Sequence, residues 1–349
     1  MSESMRAAVV TRTGGPEVFE IRDEPVPVPG AGEVQIRVAY AGLNFSEVYA
    51  RRGQTPGFTP PFVPGLEVSG HVSAVGDGVE GLPVGTPVAA LPRRGGYAEY
   101  VVCPAERVFT VGDGQFGNDA DPTVLRQAAA VPTTVATAWL LLVDAARVGP
   151  GSTVLVHAAA GALGVALASI ARFLGARTIL GTVSTPAKAE FARNHGYDRV
   201  YLRGDWVEAM RGDGRVGEVD VVVDSVGGVT FRNSRKVLAP WGSIVVCGDA
   251  GWNDPELIDR TELWFSNTAV MGFNIGQVSS SHPQRYRSGV IEALKALGNN
   301  QIHVPISATW PLAEVRAVHA ELEAAKTTGK HLLQIADTTT DPEGGGIDS

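Results

Sequence analysis

The stretch that most constrains this chain is VLVHAAAGALGVALASIARFLGA, Val154 to Ala176. A short apolar run, a glycine-and-alanine bend and small apolar residues at helical spacing read as buried strand, tight turn and buried helix. The rhythm continues downstream. RTILGTV (177–183) precedes the helical PAKAEFARNHG (186–196), and DVVVDSV (220–226) precedes the helical FRNSRKVLAP (231–240). The strands GSIVVCGD (242–249) and TAVMGFNI (268–275) follow. Strand and helix in alternation from about Thr133 predict a parallel sheet with helices on both faces.

The first ~127 residues have another texture. MRAAVVT, VQIRVAYAG, VSGHVSAVG, TPVAAL and AEYVVC are short strand candidates separated by Gly/Pro punctuation, the pattern of a barrel or sandwich. A helical turn or two is expected in EVYARRG, with Ser46 as its N-cap. After Val278 come the helix YRSGVIEALKALGN, the stretch HVPISATWPL, the helix AEVRAVHAELEAAK and the strand KHLLQIA. A chain of 349 residues is too long for one small core, so two domains are expected. The β-rich one takes 1–127 and 279–337, and the α/β one takes 128–278. The acidic, glycine-rich tail at 338–349 has no apolar periodicity and is expected to be disordered.

Composition narrows the function. A formal net charge of −8 argues against nucleic-acid binding, which rests on basic patches. The two cysteines, Cys103 and Cys247, make neither a four-cysteine zinc lobe nor a disulfide framework. The N-terminus shows no signal-peptide pattern, and a reducing cytoplasm is the expected setting. The segment from Gly149 to Ala171 carries no charge, but His157 and the Gly161/Gly164 bend interrupt it, so no membrane span is expected.

The bend admits two readings, a phosphate cradle or a structural corner. Set against G-x-G-x-x-G, it places Ala159, Gly161 and Gly164 in the three glycine slots, so the first slot is lost. Gly161 would let the backbone approach a pyrophosphate, with Ala162 and Leu163 opening a helix whose N–H groups face the phosphates. The second strand discriminates further. Proteins that bind NAD place an acid at its end for the ribose 2′-OH. Here VSTPAKAE has no acid before Glu190 and offers Ser184, Thr185 and Lys188 instead, a set suited to a 2′-phosphate and hence to NADPH. The competing reading is a helix cap followed by a solvated lysine.

Six segments in register resemble the zinc-independent quinone oxidoreductase (zeta-crystallin-like) branch of the medium-chain dehydrogenase/reductases. They are GLNFSEVYARRG (42–53), PGLEVSGHVSAVGDGV (64–79), GGYAEYVVCPAERVF (95–109), VLVHAAAGALG (154–164), DSVGG (224–228) and TTGKHLLQI (327–335). The resemblance implies a GroES-like β-barrel domain, a Rossmann domain inserted into it, an active site in the cleft and a homodimer. It also shows what is missing. Zinc-containing relatives carry Cys where Asn44 stands and His where Leu66 stands, and AAAVPTTVATAW (128–139) contains no metal-binding side chain. No metal is therefore expected. The implied reaction is hydride transfer from NADPH to a quinone or an α,β-unsaturated carbonyl, as an NADPH:quinone oxidoreductase or enone reductase. The alternatives are an enoyl-thioester reductase of a biosynthetic pathway and a non-catalytic NADPH-binding protein.

The resemblance also assigns residues. Asn44 falls at the amide beside the nicotinamide, and Tyr49 at a cleft-facing tyrosine that contacts substrate; the proton comes from Tyr49, water or solvent. Thr55 replaces a second tyrosine of several relatives. Arg203 occupies a position facing the 2′-phosphate, with Tyr201 or Leu202 there if the alignment slips. Thr137 is carried over as a cofactor contact. Ser225, Gly227 and Gly248 lie at strand C-termini, where open α/β sheets bind ligands. Phe273 and Asn274 match the next such end, with Phe273 also against substrate, and Gly329 and Lys330 match a C-terminal cofactor contact. Trp252, Trp264 and Phe265 line an aromatic substrate site or pack a dimer surface. Glu47, Glu67 and His157 are read as fold-serving groups.

Overall fold

The structure is a computed structural model and describes residues 3–112, 122–251 and 257–335. The described residues form two compact units. One draws on Met1–Pro132, Ala308–Lys326 and His331–Ser349, the other on Thr133–Ser307 and Thr327–Lys330. Trp252 and the tail expected to be disordered lie outside the described residues.

The chain opens with strands β1 (Ser4–Val10), β2 (Phe19–Pro25) and β3 (Glu33–Gly42) and helix α1 (Phe45–Arg51). Strands β4 (Val68–Val75), β5 (Pro87–Ala90), β6 (Tyr100–Pro104) and β7 (Val108–Thr110) follow, then helix α2 (Pro122–Ala128). The second unit runs α3 (Ala136–Leu140), β8 (Thr153–His157), α4 (Ala162–Phe173), β9 (Thr178–Val183), α5 (Pro186–Arg193) and β10 (Arg199–Leu202). It continues with α6 (Trp206–Gly212), β11 (Val219–Asp224), α7 (Val229–Arg235), β12 (Leu238–Val246), α8 (Arg260–Ser266), β13 (Ala269–Gly272), α9 (Ile275–Ser281) and α10 (Pro283–Gly298). The chain closes with β14 (Ile306–Pro311), α11 (Val315–Glu323) and β15 (Lys330–Gln334).

In the first unit β1 and β2 pair as an antiparallel ribbon, and the remaining strands form a sheet in the order β14-β15-β3-β4-β5-β7. Strand β3 serves two partners on one side: Glu33–Arg37 face β6, and Tyr40–Gly42 face β15. Ile36, Val38, Val68, Val72, Val88, Val101 and Leu333 make its core, each buried side chain stabilising by about 1.5–3 kcal/mol. This is the GroES-like β domain that the six segments imply.

The second unit is a parallel sheet in the order β10-β9-β8-β11-β12-β13, the doubly wound order of a Rossmann fold. Strand β8 is buried at every position, which explains its unbroken apolar run. Helix α4 ends at a Schellman turn: Gly175 has φ +89°, Ala176 N–H donates to Ala171 C=O (2.9 Å), and Gly175 N–H donates to Arg172 C=O (3.0 Å).

Three expectations shift in detail. The cap of α1 is Asn44, not Ser46, because Glu47 at the third helical position reaches back to the Asn44 N–H (2.9 Å). The helix expected to reach Pro240 stops at Arg235, and Leu238–Pro240 already belong to β12. The unit boundaries fall at Pro132/Thr133 and Ser307/Ala308, offset from the expected 127/128 and 278/279. Helix α10 belongs with the second unit: a Cβ on Gly289 would lie 2.5 Å from the Leu140 side chain, and Trp139 Nε1 donates to Glu292 (2.9 Å).

The uncharged stretch at 149–171 is a strand, a turn and the first part of α4. One helical run, Thr123–Ala145, is long and apolar enough to cross a membrane, and 83% of its most apolar window is buried within the protein.

Candidate functional site

The glycine bend is both tight and specific. Ala158 stands at φ +53°, a left-handed conformation that a residue with a Cβ adopts at a cost. A Cβ on Gly164 would meet the Ala159 C=O at 2.5 Å and the Ala158 C=O at 2.7 Å, so the first turn of α4 presses onto the bend. Gly161, its N-cap, is less tightly held: a Cβ there would lie 3.3 Å from the Ala158 C=O, close enough that the bend would have to give by a few tenths of an ångström. Ala159 in the first slot is accommodated from across the sheet. A Cβ on Gly181 of β9 would lie 2.6 Å from the Ala159 methyl, so Gly181 supplies the space that the missing glycine would have given. Gly161, Ala162 and Leu163 remain partly accessible at the start of a 12-residue helix. Its first-turn N–H groups and positive dipole end fit a pyrophosphate.

The C-terminal segment docks on this bend. Gly329 N–H donates to Ala160 C=O (2.8 Å), and Gly329 pairs with Gly161 as an isolated parallel bridge. Gly329 has φ +61°, and a Cβ there would strike Ser307 Oγ at 2.1 Å. The next residue, Lys330, is fully buried, and its Nζ donates to Thr134 Oγ1 (2.9 Å). Thr134 was not singled out from sequence. It lies in a π-helical turn, Val131–Val135, directly before α3, which carries the buried Thr137. Such turns recur at functional sites.

At the end of β9, Thr185 caps α5 and accepts from the Lys188 N–H (3.3 Å), while Ser184 is exposed. Arg203 follows β10, its N–H donating to Val183 C=O (2.9 Å). Burial, and then the Arg203 charge, hold the Lys188 ammonium below its ordinary pKa. Two cations thus converge where an NAD site has an acid. Tyr201 is buried and donates its hydroxyl to Asp213 (2.9 Å), and Leu202 is exposed, so Arg203 is the residue of the three whose charge reaches Lys188.

His157 closes β8 as a satisfied core histidine. Ser234 Oγ–H donates to Thr230 C=O (2.8 Å), so its lone pair takes the proton of His157 Nε2 (2.8 Å), and His157 Nδ1 accepts from Thr182 Oγ1 (2.7 Å). Burial, with the Arg203 charge second, pushes its pKa down to about 3.

Asp224, also missed from sequence, is fully buried at the C-terminal end of β11. Its Oδ1 accepts from the N–H of Val226 (2.7 Å) and of Gly227 (3.0 Å), shaping the turn that carries Ser225, while Oδ2 has no partner among the described residues. Burial raises its pKa against the pull of those two N–H groups. Ala250 N–H donates to Ser225 C=O (2.9 Å), setting Gly248 against Ser225. Phe273 N–H donates to Val246 C=O (2.8 Å), and Asn274 caps α9 by accepting from the Gln277 N–H (3.1 Å). These strand ends of the second unit, with the bend and the Lys188–Arg203 pair, fit a dinucleotide.

In the first unit Asn44 and Tyr49 share helix α1. Asn44 Nδ2 lies 3.4 Å from Gly42 C=O, and Tyr49 packs edge-on to Phe45 with ring centres 5.3 Å apart. Glu47 is buried, its second oxygen accepting from the Leu66 N–H (3.1 Å), so one carboxylate ties α1 to the PGLE segment. Thr55 follows the helix and is partly buried. Trp264, on the second unit, is 74% exposed and stacks on Phe265 rather than lining an enclosed site. Zinc does not fit the donor set. Asn44 and Leu66 hold the two ligand positions, and among the described residues no group of three or more His, Cys, Asp or Glu could hold a metal. Cys103 and Cys247 are both pushed up to about 12 by burial.

Comparison with known proteins agrees with this architecture. Residues 30–113 match the alcohol dehydrogenase GroES-like domain, and 162–296 match the family described as zinc-binding dehydrogenase. A 2-haloacrylate reductase from Burkholderia sp is 34% identical over 94% of this chain and 98% of its own. A mycobacterial protein solved in complex with NADPH is 34% identical, with a TM-score of 0.85 over 95% of this chain and 100% of that one. A quinone oxidoreductase from Pseudomonas syringae is 30% identical, with a TM-score of 0.84 over 95% and 99%. The fold, the dinucleotide cradle and the relatives together place this chain in the medium-chain dehydrogenase/reductase superfamily, in its zinc-independent quinone oxidoreductase-like branch, as an oxidoreductase that uses a nicotinamide cofactor.

Proposed function

We propose that this chain is an NADPH-dependent reductase whose acceptor is a quinone or an α,β-unsaturated carbonyl compound. The observation that carries the cofactor preference is the convergence of Lys188 and Arg203 at the end of β9, where no acid precedes Glu190. A 2′-phosphate between two such cations gains charge-assisted hydrogen bonds, whereas a 2′-hydroxyl finds no carboxylate there. The relative solved with NADPH supports this reading.

In this reading Gly161, Ala162, Leu163 and Gly164 hold the pyrophosphate, and Ser184, Thr185, Lys188 and Arg203 hold the 2′-phosphate. Thr137, Ser225, Gly248, Phe273, Asn274, Gly329 and Lys330 hold the nicotinamide half. Reduced nicotinamide supplies a hydride when bound, and with one proton from Tyr49, water or solvent the acceptor gains two electrons and two hydrogens. Asn44 donates to the acceptor carbonyl and Tyr49 packs against the acceptor, with Thr55 beside it on the first unit. A donor set unsuited to zinc favours acceptors that stabilise charge by themselves. The resemblance to a 2-haloacrylate reductase supports activated C=C bonds among them.

The test is steady-state oxidation of NADPH and NADH with a quinone, an enone and an enoyl thioester. Turnover with the first or second and a preference for NADPH is expected. Turnover with the thioester alone would replace this reading with the enoyl-thioester reductase, and none with any acceptor would leave a binding protein. We also infer a homodimer. Trp241, Leu257, Trp264 and Phe265 expose 74–91% of their surface on the second unit, and α8 hydrogen-bonds Trp241 through Asn267. Sedimentation at the mass of one 36.6 kDa chain would contradict it.

A further inference from the structure

One end of the first unit's sheet carries a second set of cations. Ala41 of β3 pairs with Val68 of β4, Val68 with Ala90 of β5, and Ala90 with Val108 of β7. This row fixes what leaves the sheet at that end: Asn44 after β3, Leu66 and Glu67 before β4, Leu91–Arg93 after β5, and Arg107 before β7. Two strand steps separate β3 from β5, about 10 Å. Leu91 N–H donates to Arg107 C=O (3.1 Å), so the two arginine-bearing segments are hydrogen-bonded neighbours. The loop that carries Arg93 is tied onward to helix α1. Gly95, Tyr97 and Gly96 donate to Val63, Pro64 and Gly65 (2.9, 3.0 and 3.2 Å), and Leu66 N–H donates to Glu47, the carboxylate that also caps Asn44.

The two arginines are placed at a cost. Arg93 has φ +72°, left-handed backbone that a non-glycine residue rarely adopts and that clusters at ligand sites. The Nε atoms of Arg93 and Arg107 are both buried, and the Nε of Arg107 has no hydrogen-bond partner among the described residues. Its ion pair with Glu106 spans 3.9 Å, beyond hydrogen-bond reach, and the Glu106 side chain is 59% exposed. Burial, and then the Arg107 charge, pull the Arg93 pKa down, so the two guanidiniums repel each other in a half-buried setting. An oxyanion offsets such repulsion, and the planar fork of an arginine matches a carboxylate in geometry.

We propose that Arg93 and Arg107 form an anion subsite beside Asn44 and Tyr49, and that the acceptor it selects is an α,β-unsaturated carboxylate. This rests on the reductase reading and adds the substrate class to it. The acid would dock its carboxylate on the arginine pair while its C=C bond lies toward Tyr49.

The experiment compares kcat/KM for crotonate, methyl crotonate and crotonyl-coenzyme A in the unaltered enzyme, Arg107→Gln and Arg93→Gln, each checked for folding by circular dichroism. The expected result is an acid-to-ester ratio that falls about 10- to 100-fold in either variant. An unchanged ratio in two folded variants overturns the proposal, as does a loss confined to the thioester, which would assign the arginines to carrier phosphate. A parallel titration with unreactive butyrate separates the two readings. If no acceptor turns over but butyrate binds and Arg107→Gln abolishes it, the anion subsite stands without the reductase. If butyrate binds neither protein, or binds both equally, the subsite fails.

Discussion

Gly164 has no room for a methyl group, and the reason is local: the first turn of α4 lies against the carbonyls of Ala158 and Ala159. Gly164→Ala is expected to destabilise the protein by about 1–3 kcal/mol through overpacking and to weaken cofactor binding, read by thermal melting and NADPH titration. Gly161, with a nearest contact of 3.3 Å, should tolerate the same change better in melting than in binding. The sequence exposed the fingerprint and its defect at Ala159 but not the repair. That repair is Gly181, 22 positions on in the next strand, and it becomes visible once the register places His157 opposite Thr182. Lys188 was legible as a local departure from the NAD pattern. Asp224 and Thr134 were not, because a carboxylate that shapes a turn and a hydroxyl that receives a buried lysine show themselves through partners distant in sequence or turned inward.

At the scale of elements, helix α1 holds Asn44 and Tyr49, and Glu47 fixes both its start and its neighbour. One oxygen accepts from the Asn44 N–H and the other from the Leu66 N–H. Glu47→Ala removes both contacts, with an expected loss of about 1–2 kcal/mol of stability and a fall in kcat/KM. Glu47→Gln, which keeps one acceptor, should recover part of each. The far end of the helix is anchored by Arg51, fully buried and paired with Glu323 of α11 (2.9 Å). Short amphipathic strands and the long helices were readable from period and punctuation. The cap at Asn44 was misplaced by two residues because Asn and Ser are both good caps, and the deciding partner was Glu47. Only the first residues of β12, Leu238–Pro240, read with the preceding helix, because LAP carries no polarity change to mark the break, whereas GSIVVCGD reads as strand.

Across the whole molecule, each unit keeps one histidine buried and neutral. His157 in the second unit and His319 in the first are both pushed down to about 3, chiefly by burial and then by Arg203 and Arg51 respectively. Their unfolded value is 6.5, so between about 3 and 6.5 the unfolded chain binds protons that the native state does not. Stability therefore rises with pH through that window and is lost as pH falls through it, by about 1.4 kcal/mol per pH unit for each histidine. Urea unfolding from pH 7 to pH 4 should show this, and replacing either histidine with Gln should remove about one proton from the slope. The two textures, β-rich and alternating, were legible along the chain, whereas the return of the chain at 308 was not, since α10 is an ordinary amphipathic helix whose owner is decided by packing at Gly289 and Leu140. Selection of NADPH by the cradle of the second unit is read in equilibrium titration of the protein with NADPH and NADH. NADPH is expected to bind more tightly by about tenfold or more, with loss of that preference in Lys188→Gln and Arg203→Gln; equal or tighter binding of NADH would overturn the assignment of Lys188 and Arg203 to a 2′-phosphate.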